Sequence, residues 1–180
     1  EFARQGLAVE ETLKRTRDAM ILVRLSGLDV VSSVEAVTAT LNSFNQTVIT
    51  STQLINKLAN VDAAFAVSSA DLAEAIRRVG SSAQDANVGI DELIAMVTTA
   101  QQVTARGGSV IGNSLKTIFT RLQRPAVLND LAAFGVKVKD ASGAMLPAMQ
   151  VLKNFSSAYG GLAPAQKAVA AEMVGGVFQV

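Results

Sequence analysis

The sequence predicts an all-α protein: an irregular array of about eight or nine short antiparallel helices, with one small β-hairpin near residues 136–146. Three observations carry that reading. Apolar residues recur at spacings of three and four, the period of one helix face. A glycine, a proline or a capping residue interrupts the pattern about every 20 residues. The composition is 49% hydrophobic but only 4% aromatic, and much of it is alanine, which suits helices.

The elements follow in order. After Gly6-Leu7, the acidic pair Glu10 and Glu11 sits in a first helical turn, where it favours the helix dipole. The expected stripe there uses Leu13, Ala19 or Met20, and Val23, and Gly27 ends it. Asp29 can cap a second helix that buries Val30, Val34, Val37 and Leu41. Thr50-Ser51-Thr52-Gln53 has the capping-box spacing, followed by Leu54, Leu58 and Val61. Ser68, with Asp71 three residues on, opens a helix with Leu72, Ile76 and Val79 inside, and Glu74 can reach Arg78 across one turn. Asn87-Val88-Gly89 is a break before Leu93, Ile94, Val97 and Ala100. Gly107-Gly108 is another, before the stripe Val110, Ile111, Leu115, Ile118, Phe119 and Leu122, with Lys116, Thr120 and Arg124 opposite. Pro125, Pro147 and Pro164 each precede a further helix, because the first helical position needs no N–H partner.

One stretch departs from the helical period. Val136-Lys137-Val138-Lys139 alternates, 140–143 supplies turn residues, and Ala144-Met145-Leu146 can return. A two-stranded hairpin is marginal alone, so it is expected to lie against the helices. Three helix starts share a weak pattern: Gly6-Leu7-Ala8-Val9, Gly27-Leu28-Asp29-Val30 and Asn87-Val88-Gly89-Ile90. It fits a helical-repeat array, but the irregular spacing favours junctions that converge on one capping chemistry.

Composition removes several function classes. The chain has no Cys, His or Trp. Disulfides, thiolate ligands and the commonest general base are therefore unavailable, which argues against an enzyme such as a cell-wall hydrolase. Mean hydropathy is +0.33 with 17% charged residues, apolar for a water-exposed chain. Either alanine explains that, or other chains cover part of the surface. Net charge is +1, divided unevenly: 8 basic and 12 acidic residues in 1–100, 8 basic and 3 acidic in 101–180. No apolar run reaches the roughly 18 residues of a membrane helix. The start lacks an initiator Met and the end lacks a stop signal, so the chain reads as part of a longer one.

No residue is singled out as catalytic, cofactor-binding or metal-binding. Gly107-Gly108-Ser109-Val110-Ile111-Gly112-Asn113-Ser114 has the glycine spacing of a phosphate loop. Asn113 stands where the lysine belongs, and a helix rather than a strand precedes it. Glycines that let helices approach closely are the simpler account. Glu10-Glu11 and Asp91-Glu92 are explained by first helical turns. Asn45-Gln46-Thr47 fits a glycosylation acceptor without a secretion signal to support it. Arg106, Lys116, Arg121, Arg124, Lys137 and Lys139 form a loose basic region, either solvated or directed at an acidic partner such as DNA.

From 71 to 179 the chain resembles the core region of tail tape-measure proteins of long-tailed bacteriophages. The resemblance is carried by Asp71-Leu72-Ala73-Glu74-Ala75, Arg78-Val79-Gly80-Ser81-Ser82-Ala83 and Ile90-Asp91-Glu92-Leu93-Ile94. It continues through Gly107-Gly108-Ser109-Val110-Ile111-Gly112-Asn113, Thr117-Ile118-Phe119-Thr120-Arg121-Leu122 and Phe134-Gly135-Val136, to Gly175-Gly176-Val177-Phe178-Gln179. The chain is accordingly expected to divide into an N-terminal helical segment, 1–67, and a tape-measure core region, 68–180. The resemblance implies a structural part of the virion that sets tail length, occupies the tail-tube lumen and takes part in genome ejection. It implies synthesis in the host cytoplasm. The partners implied are other copies of the protein, the tail tube, tail tip and tail assembly proteins, the genomic DNA end, and the host membrane on ejection. No cofactor and no catalytic residue come with it. The alternative is a membrane-active segment forming part of a DNA-delivery channel. A ruler built as one helix would span about 270 Å over 180 residues. The frequent breaks predict a folded module instead, or one that opens when threaded through the tube.

Overall fold

The computed structural model describes residues 2–44 and 49–176. Among the described residues the chain forms nine α-helices and no strand. They are α1 (Val9–Ser26), α2 (Val30–Ser43), α3 (Ser51–Ala64), α4 (Ser69–Asp85) and α5 (Ile90–Thr104), then α6 (Gly108–Leu122), α7 (Pro125–Ala133), α8 (Ala148–Tyr159) and α9 (Pro164–Gly175). A 3-10 turn, Phe2–Gln5, precedes them.

Most boundaries are written locally. Asp29 accepts from Ser32 N at 3.0 Å and caps α2. At α3, Thr50 Oγ1 accepts from Gln53 N while Gln53 Oε1 accepts from Thr50 N, so both orphan donors are closed. Ser68 Oγ accepts from Asp71 N at 3.1 Å at the start of α4. Gly89 N donates to Glu92 Oε2 at the start of α5. Gly27 ends α1 at φ +71°, a left-handed conformation costly for residues with a Cβ.

The chain forms two compact units, divided within α4 and α6. The first comprises Glu1–Ser81 and Gly89–Asn113; the second comprises Ser82–Val88 and Ser114–Val180. In the first, α1 packs on α2 and α3. Its core includes Leu22, Val37, Leu41, Leu58, Leu72 and Leu93, all buried. In the second, α7 packs with α9, and Phe119, Leu131, Val151 and Ala170 are buried. Burying each such side chain contributes on the order of 1.5–3 kcal/mol.

The expected β-hairpin at 136–146 does not form. The chain makes one isolated antiparallel bridge, Lys139 to Met145. Both arms are claimed by helix ends. Val136 N donates to Leu131 O and closes the α7 terminus, and Pro147 caps α8 only two residues beyond the bridge. Asn154 of α8 also donates to Lys137 O at 2.7 Å, tying this arm to the helix that follows. What remains is a turn closed by Asp140 Oδ1, which accepts from Ser142 N and Ala144 N. The Ser142 hydroxyl is the main reason the Asp140 carboxyl lies below its ordinary pKa.

Several stripes are also set differently from expectation. Val30 and Val110, placed inside by spacing, are exposed. In α1, Leu13 and Met20 face solvent, whereas Arg15 and Asp18 are buried beside Ala19 and Leu22. The contacts with α2 and α3, rather than the helix's own apolar period, decide which face of α1 turns inward.

Candidate functional site

The glycine-rich stretch around 107–114 is a packing device. Gly108 opens α6, and its N–H donates to Asp71 Oδ1 at 2.7 Å. A Cβ on Gly108 would lie 2.1 Å from the Asp71 backbone oxygen, and one on Gly112 would lie 2.8 Å from that of Ala75. Two missing side chains, one turn apart, thus bring α6 onto the backbone of α4. The Asp71 carboxylate is fully engaged, with Oδ2 accepting from Ser68 Oγ at 2.8 Å and Gln101 Nε2 at 3.4 Å. Gln101 in turn accepts from Gly107 N. A carboxylate therefore occupies the helix start that a phosphate would need.

The paired carboxylates divide in the same structural way. Glu11 bonds Arg15 Nε at 2.7 Å, and Glu10 is exposed. Asp91 meets Lys57 at 2.6 Å, joining α5 to α3, while Glu92 closes its own helix. Glu74 holds two guanidinium groups, Arg77 at 2.9 Å and Arg78 at 2.6 Å, and Arg77 also reaches Glu35 of α2 at 3.5 Å. Partial burial raises the Glu74 pKa, but the bonds and charges of the two arginines outweigh it and hold the carboxyl below its ordinary range. Arg77 is correspondingly raised, chiefly by its bond to Glu74.

The loose basic region is not one surface of one unit. Arg106 belongs to the first unit and the other five residues to the second. Arg121 is structural: its Nε donates to Met173 O at 2.7 Å and its Nη2 to Glu172 O at 3.2 Å. It places a cation on the last carbonyls of α9, where the helix dipole favours one. Asn45-Gln46-Thr47 and Val177-Phe178-Gln179 lie outside the described residues.

Sequence reasoning missed the interior of α1. Arg15 is fully buried; Nε bonds Glu11, and Nη1 and Nη2 have no hydrogen-bond partner among the described residues. Asp18, one turn on, accepts from Ser51 Oγ at 2.5 Å and Thr52 Oγ1 at 2.9 Å instead of pairing with it. The nearest available signal was negative: the apolar residues of α1 run around the whole helix, so period alone could not choose a face.

Two of the grooves on the first unit's surface border α1, α3 and α5. One, of about 410 Å³, is lined by α3 and α5, with half-exposed Phe65 at its edge beside Val61, Ile94 and Thr98. The other, of about 520 Å³, runs beside α1 between Leu13, Arg17, Ile21 and Thr52. Among the described residues there is no group of three or more acidic residues placed to hold a metal ion. No helix of the described residues is long and apolar enough to cross a membrane.

Short, locally capped helices and carboxylates engaged in structural bonds define a scaffold, and comparison assigns it. The description of phage-related minor tail proteins matches residues 1–176, and the chain belongs to that family. It is a phage tail component, and its helical architecture is that of the family member in hand. Among curated proteins it is similar to the tape measure protein of Pneumococcus phage Dp-1, 25% identical over 163 residues. That similarity covers 89% of this chain and 14% of the relative, so the chain spans about one seventh of the relative's length. No solved structure matches it.

Proposed function

We propose that this chain is a folded stretch of a tape-measure protein that lies in the tail-tube lumen, sets tail length during assembly and takes part in genome ejection. The observation that carries the reading is the similarity to a tape measure protein across 89% of the chain. The role is structural, and its partners are further copies of the protein and the proteins of the tail tube, tip and assembly machinery. On ejection it meets the genomic DNA end and the host membrane.

The fold supports a modification of the simple ruler. Nine short helices contribute length through their packing, not as one rod of about 1.5 Å per residue. Removing residues 9–176 in frame from the phage gene, and measuring tails by electron microscopy, tests this. Tails should shorten by less than the roughly 250 Å that a continuous helix of that span would remove. Tails of unchanged length would overturn the length-setting role, and a shortening of the full 250 Å would overturn the folded state inside the tail.

A further inference from the structure

We propose that the outward face of α1 pairs with the same face of a second copy, antiparallel about Arg17, in the free chain before it joins a tail. The claim goes beyond the tail reading and rests on α1 alone, so either can fail without the other.

The observation is a helix turned inside out. Exposed large apolar side chains among the described residues occur singly or in pairs at Val30, Val31, Phe65, Val103, Val110, Met145 and Val169, and are most numerous at Val9, Leu13, Met20, Ile21 and Leu25. Five of these are on α1, whose buried side carries the charges of Arg15 and Asp18. A helix apolar on its solvent side calls for a second covering surface.

The pattern on that side selects the occupant. Val9, Leu13, Arg17, Ile21 and Leu25 follow at intervals of four, so they form one ridge of the helix. The ridge is symmetric in character about its middle. Turned end for end about Arg17, it sets Leu13 beside Ile21 of the second copy, while Val9 and Leu25, about 80° round the helix to either side of Arg17, flank the contact. The flanks are complementary in the same sense, because Glu10 comes toward Arg24 of the second copy, twice over. An acid and a base seven residues either side of the midpoint are what a two-fold contact can use, since such an interface brings residue i to j and j to i. Ridges at intervals of four interdigitate in the commonest helix packing, crossing at about 50°. The groove between Leu13, Arg17, Ile21 and Thr52 gives the incoming ridge a place to sit. Arg17, meeting its own copy at the crossing point, opposes the contact, as does Lys14, which lines the same groove.

The chain contains no cysteine, which makes the geometry directly testable. In sedimentation equilibrium of the 180-residue chain, the apparent mass should climb from 18.7 kDa toward twice that value as concentration rises from micromolar to several hundred micromolar. Leu13→Asp and Ile21→Asp, at exposed positions, should each weaken association at least about tenfold with unchanged circular dichroism. Arg17→Leu should strengthen it. Glu10→Arg or Arg24→Glu alone should weaken the dimer, and the two together should restore it. Under mild oxidation, Arg17→Cys should form a disulfide-linked dimer, because residues at the axis come within bridging distance. Val9→Cys should not, since its copies lie about 24 Å apart along the helices. A chain monomeric at every concentration overturns the proposal, including one that instead binds vesicles of phosphatidylserine and phosphatidylcholine. Equal crosslinking of Arg17→Cys and Val9→Cys, the mark of a parallel pair, overturns it too.

Discussion

At Gly108 the backbone of α6 comes so near Asp71 that a single methyl group has nowhere to go. Neither helix backbone can yield by a side-chain rotation, so the whole contact must open. Gly108→Ala is expected to lower stability by about 3 kcal/mol in urea denaturation, the upper range for overpacking. A loss under about 0.5 kcal/mol would show that the two helices separate freely. Ala105 presents the opposite case. It ends α5 at φ +50°, a left-handed conformation that its Cβ disfavours. Ala105→Gly should therefore raise stability by about 0.5–1 kcal/mol in the same measurement. The sequence marked Gly107-Gly108 as a break but gave no sign that Ala105 would carry the helix's last turn.

Elements whose ends are set by adjacent residues were legible, and elements whose faces are set by distant ones were not. Asp29, Thr50 with Gln53, and Ser68 with Asp71 each announced a helix start within four residues of chain. The stripe of α6 was legible at Ile111, Leu115, Phe119 and Leu122 because those residues have one apolar side to offer. In α1, apolar residues surround the axis, and the choice between faces falls to α2 and α3. The alternation at 136–139 is real, but Val136 and Pro147 serve the flanking helices first. The engagement of Asp71 by three segments could not be argued from residue types. Glu74 illustrates an interaction anticipated only in part: Arg78 was expected from spacing, and Arg77 adds the link to Glu35. Since Glu74 has a depressed pKa when folded, its contribution is complete above the ordinary glutamate range and is lost as the pH falls through its folded value. Wild-type stability should accordingly fall more than that of Glu74→Gln between pH 6 and pH 3, by about 0.5–1 kcal/mol for a partly exposed network. Equal losses in the two proteins would remove Glu74 from the acid response.

Across the whole molecule, the tail family match runs unbroken from 1 to 176 and takes in both compact units. The charge division seen in the sequence follows them in part. The described ion pairs, Glu11 with Arg15, Lys57 with Asp91, and the Glu74 cluster, all fall in the first unit. In the second, Arg121 binds backbone carbonyls and Lys167 lies over the Tyr159 ring, 5.7 Å from its centre. These two cations are committed to a helix end and an aromatic face. The local closure of the helices also has a mechanical meaning. Short helices are marginal without neighbours, yet the starts of α2, α3 and α4 and the stop of α1 belong to their own few flanking residues. Tension applied at the two chain ends should draw such segments out singly. In an optical trap the extension toward a contour of about 600 Å should arrive in several small increments at low force, and a single rupture of the entire chain would contradict it. Capped ends let the chain give way like a string of separate beads.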